Sequence, residues 1–156
     1  MQTPAGIKNA MSAITHGVYV LGVHTPEKDN LMTAAWLCQV SSAPPTLAVA
    51  VSSKHLTTQL ISQAGGFAVS VLSEEQRETA LRNGRISGRD CDKLLDTPTV
   101  PGETGHPLVA KALAYLECEL TDSLAAGDHV VFLGQVVRGE RYPGEPLLYR
   151  EPEFFG

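Results

Sequence analysis

The sequence predicts a mainly β protein, built as an antiparallel barrel with a few short helices. Three observations favour this class. About seven segments have the length and the β-branched or aromatic content of strands, turn residues separate them, and only two or three segments have helical spacing. The chain lacks the alternation of strands and long helices that indicates a parallel sheet. Its 156 residues suit one core, so we expect a single domain over residues 1–156.

The first half of the chain is dominated by strands. The predicted elements are, in order, a short helix at 7–13, a strand at 17–24, a strand from 31 to 40 and a central strand at 46–51. Asp29 and Asn30 tolerate positive φ and favour a hairpin between the first two strands. Pro44 and Pro45 lack backbone N–H groups, so we expect the chain to leave the sheet after Val40.

The second half alternates two short helices with longer strands. The predicted elements are a helix at 57–63 ended by Gly65 and Gly66, a strand at 66–72, a helix from Ser73 to Leu81, strands at 112–121 and 129–140 joined by residues 122–128, and a last strand at 146–149. Ser73 and Gln76 form a capping-box pattern at the start of the second helix. Residues 82–105 lack clear periodicity, and connections of that length are usually functional or mobile.

Composition excludes several classes of partner. A net charge of −5 and the absence of basic runs argue against nucleic acid. No apolar run is long enough to span a bilayer, and the N-terminus lacks the order of a signal peptide. The three cysteines form no Cys-x-x-Cys pair, and the histidines lack metal-ligand spacing. We therefore expect a cytoplasmic protein without a membrane or metal site.

A polar bend between the strand at 46–51 and the following helix is the first candidate site. It contains the side chains Ser52, Ser53, Lys54, His55, Thr57 and Thr58. Hydroxyls, a cation and the N–H groups of a helix N-terminus are the donors that bind phosphate. The alternative is that Ser53, His55 or Thr57 merely caps the helix.

Three further positions complete the candidate site. Arg89, beside Gly88, could hold phosphate through its guanidinium, or could pair with a neighbouring aspartate in an exposed turn. Ala34 and Ala35 leave a shallow ledge that a flat ring could cover, or they relieve crowding against Trp36. His129 lies at the mouth of a strand, where most single histidines are structural or solvated.

Other enzyme classes fit poorly. The chain has no Gly-x-Ser-x-Gly elbow and no evident grouping of Ser, His and an acid, which argues against a classical hydrolase. It also has no Gly-x-Gly-x-x-Gly after a strand, which argues against a Rossmann dinucleotide site. The ledge at Ala34 and Ala35 and the polar bend at 52–58 therefore stay the candidate site.

An ordered set of segments resembles the flavin reductase-like family of FMN-binding split barrels. The matching segments are 16–23, 32–41, Pro44-Pro45, Thr57 with Ile61, 66–72, 87–93, 127–129 and 146–149. No single segment is specific, but all of them follow the family order over nearly the whole chain. The resemblance implies a Greek-key split β-barrel that forms a homodimer, with one flavin per protomer near the subunit interface.

The resemblance also implies a reaction and a set of site residues. The reaction is reduction of FMN by NADH or NADPH, with FAD as an open alternative, and reduced flavin or electrons passing to an oxygenase or other acceptor. The implied contacts are Thr33, Ala34, Ala35 and Trp36 along the ring and ribityl chain, Ser52, Ser53, Lys54, His55 and Thr57 around ribityl and phosphate, Arg89 at the phosphate, and His129 near the ring and the nicotinamide. Hydride transfer between stacked rings needs few acid or base groups.

Two departures from the family pattern keep other functions open. Ala34 and Ala35 stand where the family often has hydroxyl side chains, so backbone groups would have to make those contacts. His55 stands where Ser or Asn is common. One alternative is an FMN-binding electron carrier without nicotinamide turnover, and another is a structural barrel that has lost flavin.

Overall fold

The computed structural model describes residues 3–149 and is mainly β, as predicted. The strands are β1 (Tyr19–His24), β2 (Asp29–Ala34), β3 (Leu37–Ser42), β4 (Pro45–Ser52), β5 (Gly66–Val71), β6 (Thr99–Pro101), β7 (Pro107–Val109), β8 (Ala114–Ala126) and β9 (His129–Arg141). The helices are α1 (Ala5–Met11), α2 (Leu56–Ala64) and α3 (Arg77–Arg85), with short 3₁₀ turns at Glu74–Gln76 and Lys93–Leu95. Residues 1–2 and 150–156 of the predicted 1–156 domain lie outside the described residues.

Seven strands form one antiparallel sheet in the order β2-β1-β5-β8-β9-β4-β3. Its two edge strands, β2 and β3, are neighbours along the chain and are joined only by Ala35 and Trp36. The sheet therefore curls until its two edges meet at this corner. The Trp36 carbonyl accepts a hydrogen bond from Ala50 N–H at 2.9 Å, which holds the corner against β4.

The two faces of the sheet bury different apolar clusters, because side chains alternate along each strand. On β1, Leu21 packs into the larger cluster, which includes Phe67 and Phe132. Val20 points to the opposite face and packs with Leu72 and other residues under α3.

Local signals at the helix ends are confirmed. Gly65 ends α2 in the left-handed conformation with φ 70°, and its N–H bonds to the carbonyl of Ile61. The Ser73 and Gln76 capping box is formed. However, α3 continues past the predicted end at Leu81 to Arg85, because Ala80 and Asn83 share a buried face.

Several further boundary predictions were wrong. The strand predicted at 146–149 is present only as two isolated bridges, from Pro146 to Ser73 and from Leu148 to Gly17. The strand predicted over 31–40 is broken at Ala35-Trp36, since its second part pairs with β4 instead of β1. The chain does not leave the sheet after Val40; β3 continues to Ser42, which pairs with Pro45. Pro45 is tolerated because it is the first residue of its strand. Residues 122–126, predicted as a connection, belong to β8.

The segment 82–105 is only partly irregular. It contains the end of α3, the 3₁₀ turn at Lys93–Leu95 and strand β6, which pairs with β7 in a small separate hairpin. None of the helices within residues 3–149 has the length and apolar character needed to cross a bilayer.

Candidate functional site

A cavity of about 250 Å³ opens at the corner where the sheet edges meet, and we call it the corner cavity. It is lined by Met32, Thr33, Ala34, Ala35, Trp36, Ala50, Val51, Ser52, His55, His129 and Tyr149. Seven of the predicted site residues are thus brought together here. The register explains part of this grouping, because Ser52 on β4 pairs directly with His129 on β9.

Small residues create the open space of the corner cavity. Ala34 and Ala35 are both buried and lie where β2 ends. Ala50 lies on the outer face of β4, since Val49 and Val51 on either side point into the core. The hydroxyl of Thr33 donates to the Ala80 carbonyl at 2.7 Å. The Thr33 hydroxyl proton is therefore already used in a hydrogen bond to α3.

An aromatic and imidazole group borders the mouth of the corner cavity. The rings of Trp36 and His129 are 4.7 Å apart at 37°, and Trp36 is 51% exposed. The Nδ1 atom of His129 lies 2.7 Å from Oδ1 of Asp128. This hydrogen bond lowers the pKa of Asp128, so its carboxylate is ionised at neutral pH and can accept a hydrogen bond from Nδ1–H. In the neutral tautomer that carries its proton on Nδ1, Nε2 is a hydrogen-bond acceptor.

A second cavity of about 250 Å³ adjoins the first, and we call it the polar cavity. The two share Met32, Thr33 and His55 as a common wall. The other lining residues are Asn30, Leu56, Thr57, Asn83, Gly84, Arg85, Ile86, Ser87, Gly88 and Lys93. Thr57, a predicted site residue, therefore lies in the polar cavity.

His55 lies at the junction of the two cavities. Its Nδ1 atom is 3.1 Å from the Met32 sulfur. Burial lowers the pKa of His55, and the positive charges of Lys93 and Arg89 lower it further. The imidazole is therefore neutral at pH 7 and can serve as a hydrogen-bonding wall for a ligand that spans both cavities.

Three predicted residues line neither cavity in the described part of the chain. Ser53 donates its hydroxyl to the carbonyl of Asp128 at 3.0 Å, which fastens the bend to the β8–β9 turn. Lys54 is exposed, and its carbonyl accepts a hydrogen bond from Nη1 of Arg89 at 2.9 Å. Arg89 is thus brought to the polar bend as predicted, but it remains on the exposed side.

Sequence reasoning missed three polar residues of the polar cavity. Lys93 is 4% exposed, and its ammonium donates to the Asn83 carbonyl at 3.0 Å. Burial lowers the pKa of Lys93 to about 8. Asn30 and Asn83 are also buried, and the Oδ1 atom of each has no hydrogen-bond partner among residues 3–149. Two of the three had a weak signal in the sequence. Asn83 lies one helical turn after Ala80, and Lys93 belongs to the Ser87–Lys93 segment that resembles the family.

Comparisons with known proteins agree with this architecture. A sequence model described as the flavin reductase like domain matches residues 11–156. The chain is 32% identical over 147 residues to the NADH-dependent FMN reductase AsuE2 of Streptomyces nodosus subsp. asukaensis, covering 91% of this chain and 78% of that protein. It is 34% identical over 143 residues to the high molecular weight rubredoxin of Moorella thermoacetica, covering 90% of this chain and 62% of the relative.

A solved structure matches the fold over almost its full length. The NADH:FAD oxidoreductase SgcE6 of Streptomyces globisporus superposes with a TM-score of 0.87 at 30% identity, covering 96% of this chain and 92% of that one. The family match covers nearly the whole sequence, and the relatives follow it over the same extent. The chain therefore belongs to the flavin reductase like domain family.

Proposed function

We propose that this chain is an NAD(P)H-dependent flavin reductase that uses FMN. One observation carries the proposal: an apolar cavity shaped by small residues shares a wall with a polar cavity that contains a buried ammonium group. A flavin mononucleotide has the same division into a flat ring and a phosphorylated polar chain. Relatives named as an NADH-dependent FMN reductase and an NADH:FAD oxidoreductase support the reaction class.

The residues of the corner cavity fit the ring of a flavin. Ala34 and Ala35 have side chains short enough to leave room for a flat ligand, and the ring would lie between this ledge and Ala50. Bound FMN would supply the acceptor for a hydride from nicotinamide C4. The protein would hold the ring, exclude water and orient the second substrate, and these tasks need no strong acid or base.

His129 is the proposed orienting residue for the nicotinamide. The contact with Asp128 favours the tautomer with the proton on Nδ1, in which Nε2 accepts a hydrogen bond, and Trp36 packs against the imidazole ring. The carboxamide N–H₂ of a nicotinamide is a donor that such an acceptor could bind. Ser52, paired with His129 across the sheet, lines the same cavity.

The decisive experiment is anaerobic mixing of the FMN-loaded protein with NADH and, separately, with NADPH. We expect the flavin absorbance near 450 nm, a general property of oxidised flavins, to bleach with at least one of them. Binding of FMN without bleaching by either nucleotide would instead favour the electron-carrier alternative. Protein that neither binds FMN nor shifts its unfolding temperature with FMN would favour a structural barrel.

Replacing Arg89 by alanine is expected to weaken FMN binding about three- to tenfold and to change riboflavin binding little. Only FMN carries phosphate, and an exposed guanidinium is worth roughly 1 kcal/mol to such a group. Flavin fluorescence titration measures both affinities. Arg82→Ala is the matched control, because Arg82 is also exposed and also donates to a backbone carbonyl, that of Asp96. Equal losses for the two flavins would remove Arg89 from the phosphate site.

We further propose that the sheet is a Greek-key split barrel and that the protein is a homodimer. The two-residue link between the sheet edges supports closure into a barrel. Helix α1 has no buried residue, and Ile7, Met11 and Ile14, which lie on one side of the segment, are 55%, 60% and 53% exposed. A second copy would cover this apolar face. We expect light scattering at micromolar concentration to give the mass of a dimer, and a monomer would contradict the proposal.

A further inference from the structure

A third cavity, of about 590 Å³, lies outside the candidate site, and we call it the tyrosine groove. It is lined by three stretches of chain, residues 73–75, 111–113 with Tyr115, and 142–145, together with Val100 of β6. None of these residues borders the corner cavity or the polar cavity. The proposed flavin site therefore leaves this groove unused, and its own lining must indicate what it could bind.

Two tyrosine rings line the groove in a fixed arrangement. Tyr115 on β8 and Tyr142 after β9 meet edge to face, with their ring centroids 6.0 Å apart at 77°. The Tyr115 hydroxyl donates to the Val109 carbonyl at 2.7 Å. The Tyr142 N–H donates to the Leu113 carbonyl at 2.8 Å, yet the residue is 43% exposed. The pair thus presents an accessible aromatic surface that is ordered before a ligand binds, which lowers the entropy cost of binding.

Carboxylates outnumber cations along the groove. Glu74, Glu75 and Glu145 line it and are exposed, whereas the lining contains one ammonium group, that of Lys111. The Glu74 N–H donates to the Glu145 carbonyl at 3.0 Å, so these two residues lie side by side. The ion pairs formed within residues 3–149 include none of the three glutamates. The lining therefore favours a cation over an anion.

A guanidinium group matches the rings and the carboxylates at once. It is planar and weakly hydrated, stacks on aromatic faces and forms paired hydrogen bonds with a carboxylate. Its aliphatic stem needs apolar cover, which Val100, Leu113 and Pro143 provide. The groove is also larger than one arginine side chain, which leaves room for apolar residues next to that arginine.

We infer that the tyrosine groove docks an arginine with flanking apolar residues, carried on a segment of a partner protein. This inference goes beyond the proposed function, because the groove is separate from both cavities of the candidate site. Tyr149, which lines the corner cavity, follows Glu145 by four residues, so the two Cα atoms are at most about 14 Å apart. A docked partner would therefore lie beside the proposed flavin site without occupying it.

The test titrates the ¹⁵N-labelled protein with short peptides and follows its amide signals by NMR. The probes are acetyl-Leu-Arg-Leu-amide and the same peptide with citrulline, which has the shape of arginine without its charge. We expect the arginine peptide to shift signals of residues 111–115 and 142–145 and to bind roughly tenfold more tightly than the citrulline peptide. Acetylarginine amide alone should bind at least about fivefold more weakly than the arginine peptide, because it lacks the apolar neighbours.

Substitutions connect this binding to the groove. Glu74→Gln combined with Glu145→Gln should weaken the arginine peptide roughly three- to tenfold. Glu27→Gln combined with Glu119→Gln is the matched control, since it removes two exposed carboxylates elsewhere, and should change the affinity less than about twofold. Tyr142→Leu keeps an apolar side chain and should reduce the preference for arginine over citrulline to about threefold or less. Unfolding temperatures within a few degrees of the parent protein would exclude a folding defect.

Four results would overturn the inference. They are no binding of the arginine peptide, equal affinities for the arginine and citrulline peptides, signal shifts centred outside the groove, and equal effects of the two pairs of glutamine substitutions. Acetylarginine amide that binds as tightly as the peptide would make the groove a site for a small cation, which also contradicts docking of a protein segment. None of these measurements depends on FMN reduction, so the proposed function is tested separately.

Discussion

Ala50→Leu is expected to weaken flavin binding on the order of 100-fold while leaving the fold intact. Ala50 lines the corner cavity on the outer face of β4, opposite to the side chains that fill the core. A leucine there would project three more carbon atoms into a cavity of about 250 Å³. The ring could then no longer lie against the ledge formed by Ala34 and Ala35. Fluorescence titration with FMN and with riboflavin would measure the loss, which should be similar for both.

Ala48→Leu provides the matched control for this substitution. Ala48 is on the same strand and the same face as Ala50, two residues earlier, and does not line the corner cavity. We expect it to keep flavin affinity within about twofold. Thermal unfolding of both variants should remain within a few degrees of the parent protein. Normal FMN binding by Ala50→Leu would show that the ring lies elsewhere.

Phe67→Ala is expected to destabilise the protein by about 3–5 kcal/mol and to lower the unfolding temperature by on the order of 10 °C. Phe67 is fully buried in the larger apolar cluster. Its ring lies directly on the bare backbone of Gly134, so a Cβ at Gly134 would be only 2.7 Å from Phe67 Cζ. Removing the ring would therefore leave a cavity in this cluster.

Leu95→Ala is the control for an apolar truncation outside the core. Leu95 is 81% exposed, so its loss should change the free energy of unfolding by roughly 0.5 kcal/mol or less. Denaturant titration would measure the free energy of unfolding of both variants under the same conditions. A Phe67→Ala variant as stable as Leu95→Ala would mean that the cluster around Phe67 repacks, which the tight contact with Gly134 argues against.

Local chemistry explains which parts of the fold could be predicted from sequence. The Gly65 helix end and the Ser73 capping box depend on residues within one turn, so they follow from the sequence directly. The break at Ala35-Trp36 could not be predicted, because it arises when the two parts of one apolar segment pair with different strands. Pairing between β4 and β9, which are far apart along the chain, decides that outcome.

Some residues of the candidate site could likewise be predicted from the sequence, and others could not. The ledge, the polar bend and His129 carry recognisable residue types, and their prediction needed only family order and local composition. Lys93 has an ordinary sequence context, and its significance comes from burial among β2, α2 and α3. Asn30 looks like a turn residue in the sequence, yet β2 begins at Asp29 and carries its side chain inward. Burial of a polar group is a tertiary property that composition does not encode.

The meeting of the two sheet edges at Ala35 and Trp36 has a thermodynamic consequence. The two edge strands come together only when all seven strands of the sheet are paired. A ligand held at this corner therefore binds the folded chain and not a partly folded one. By mass action, a ligand present at 100 times its dissociation constant adds about 2.7 kcal/mol to the free energy of unfolding. Under the proposed function, flavin binding would therefore protect the folded chain from unfolding as well as permit its activity.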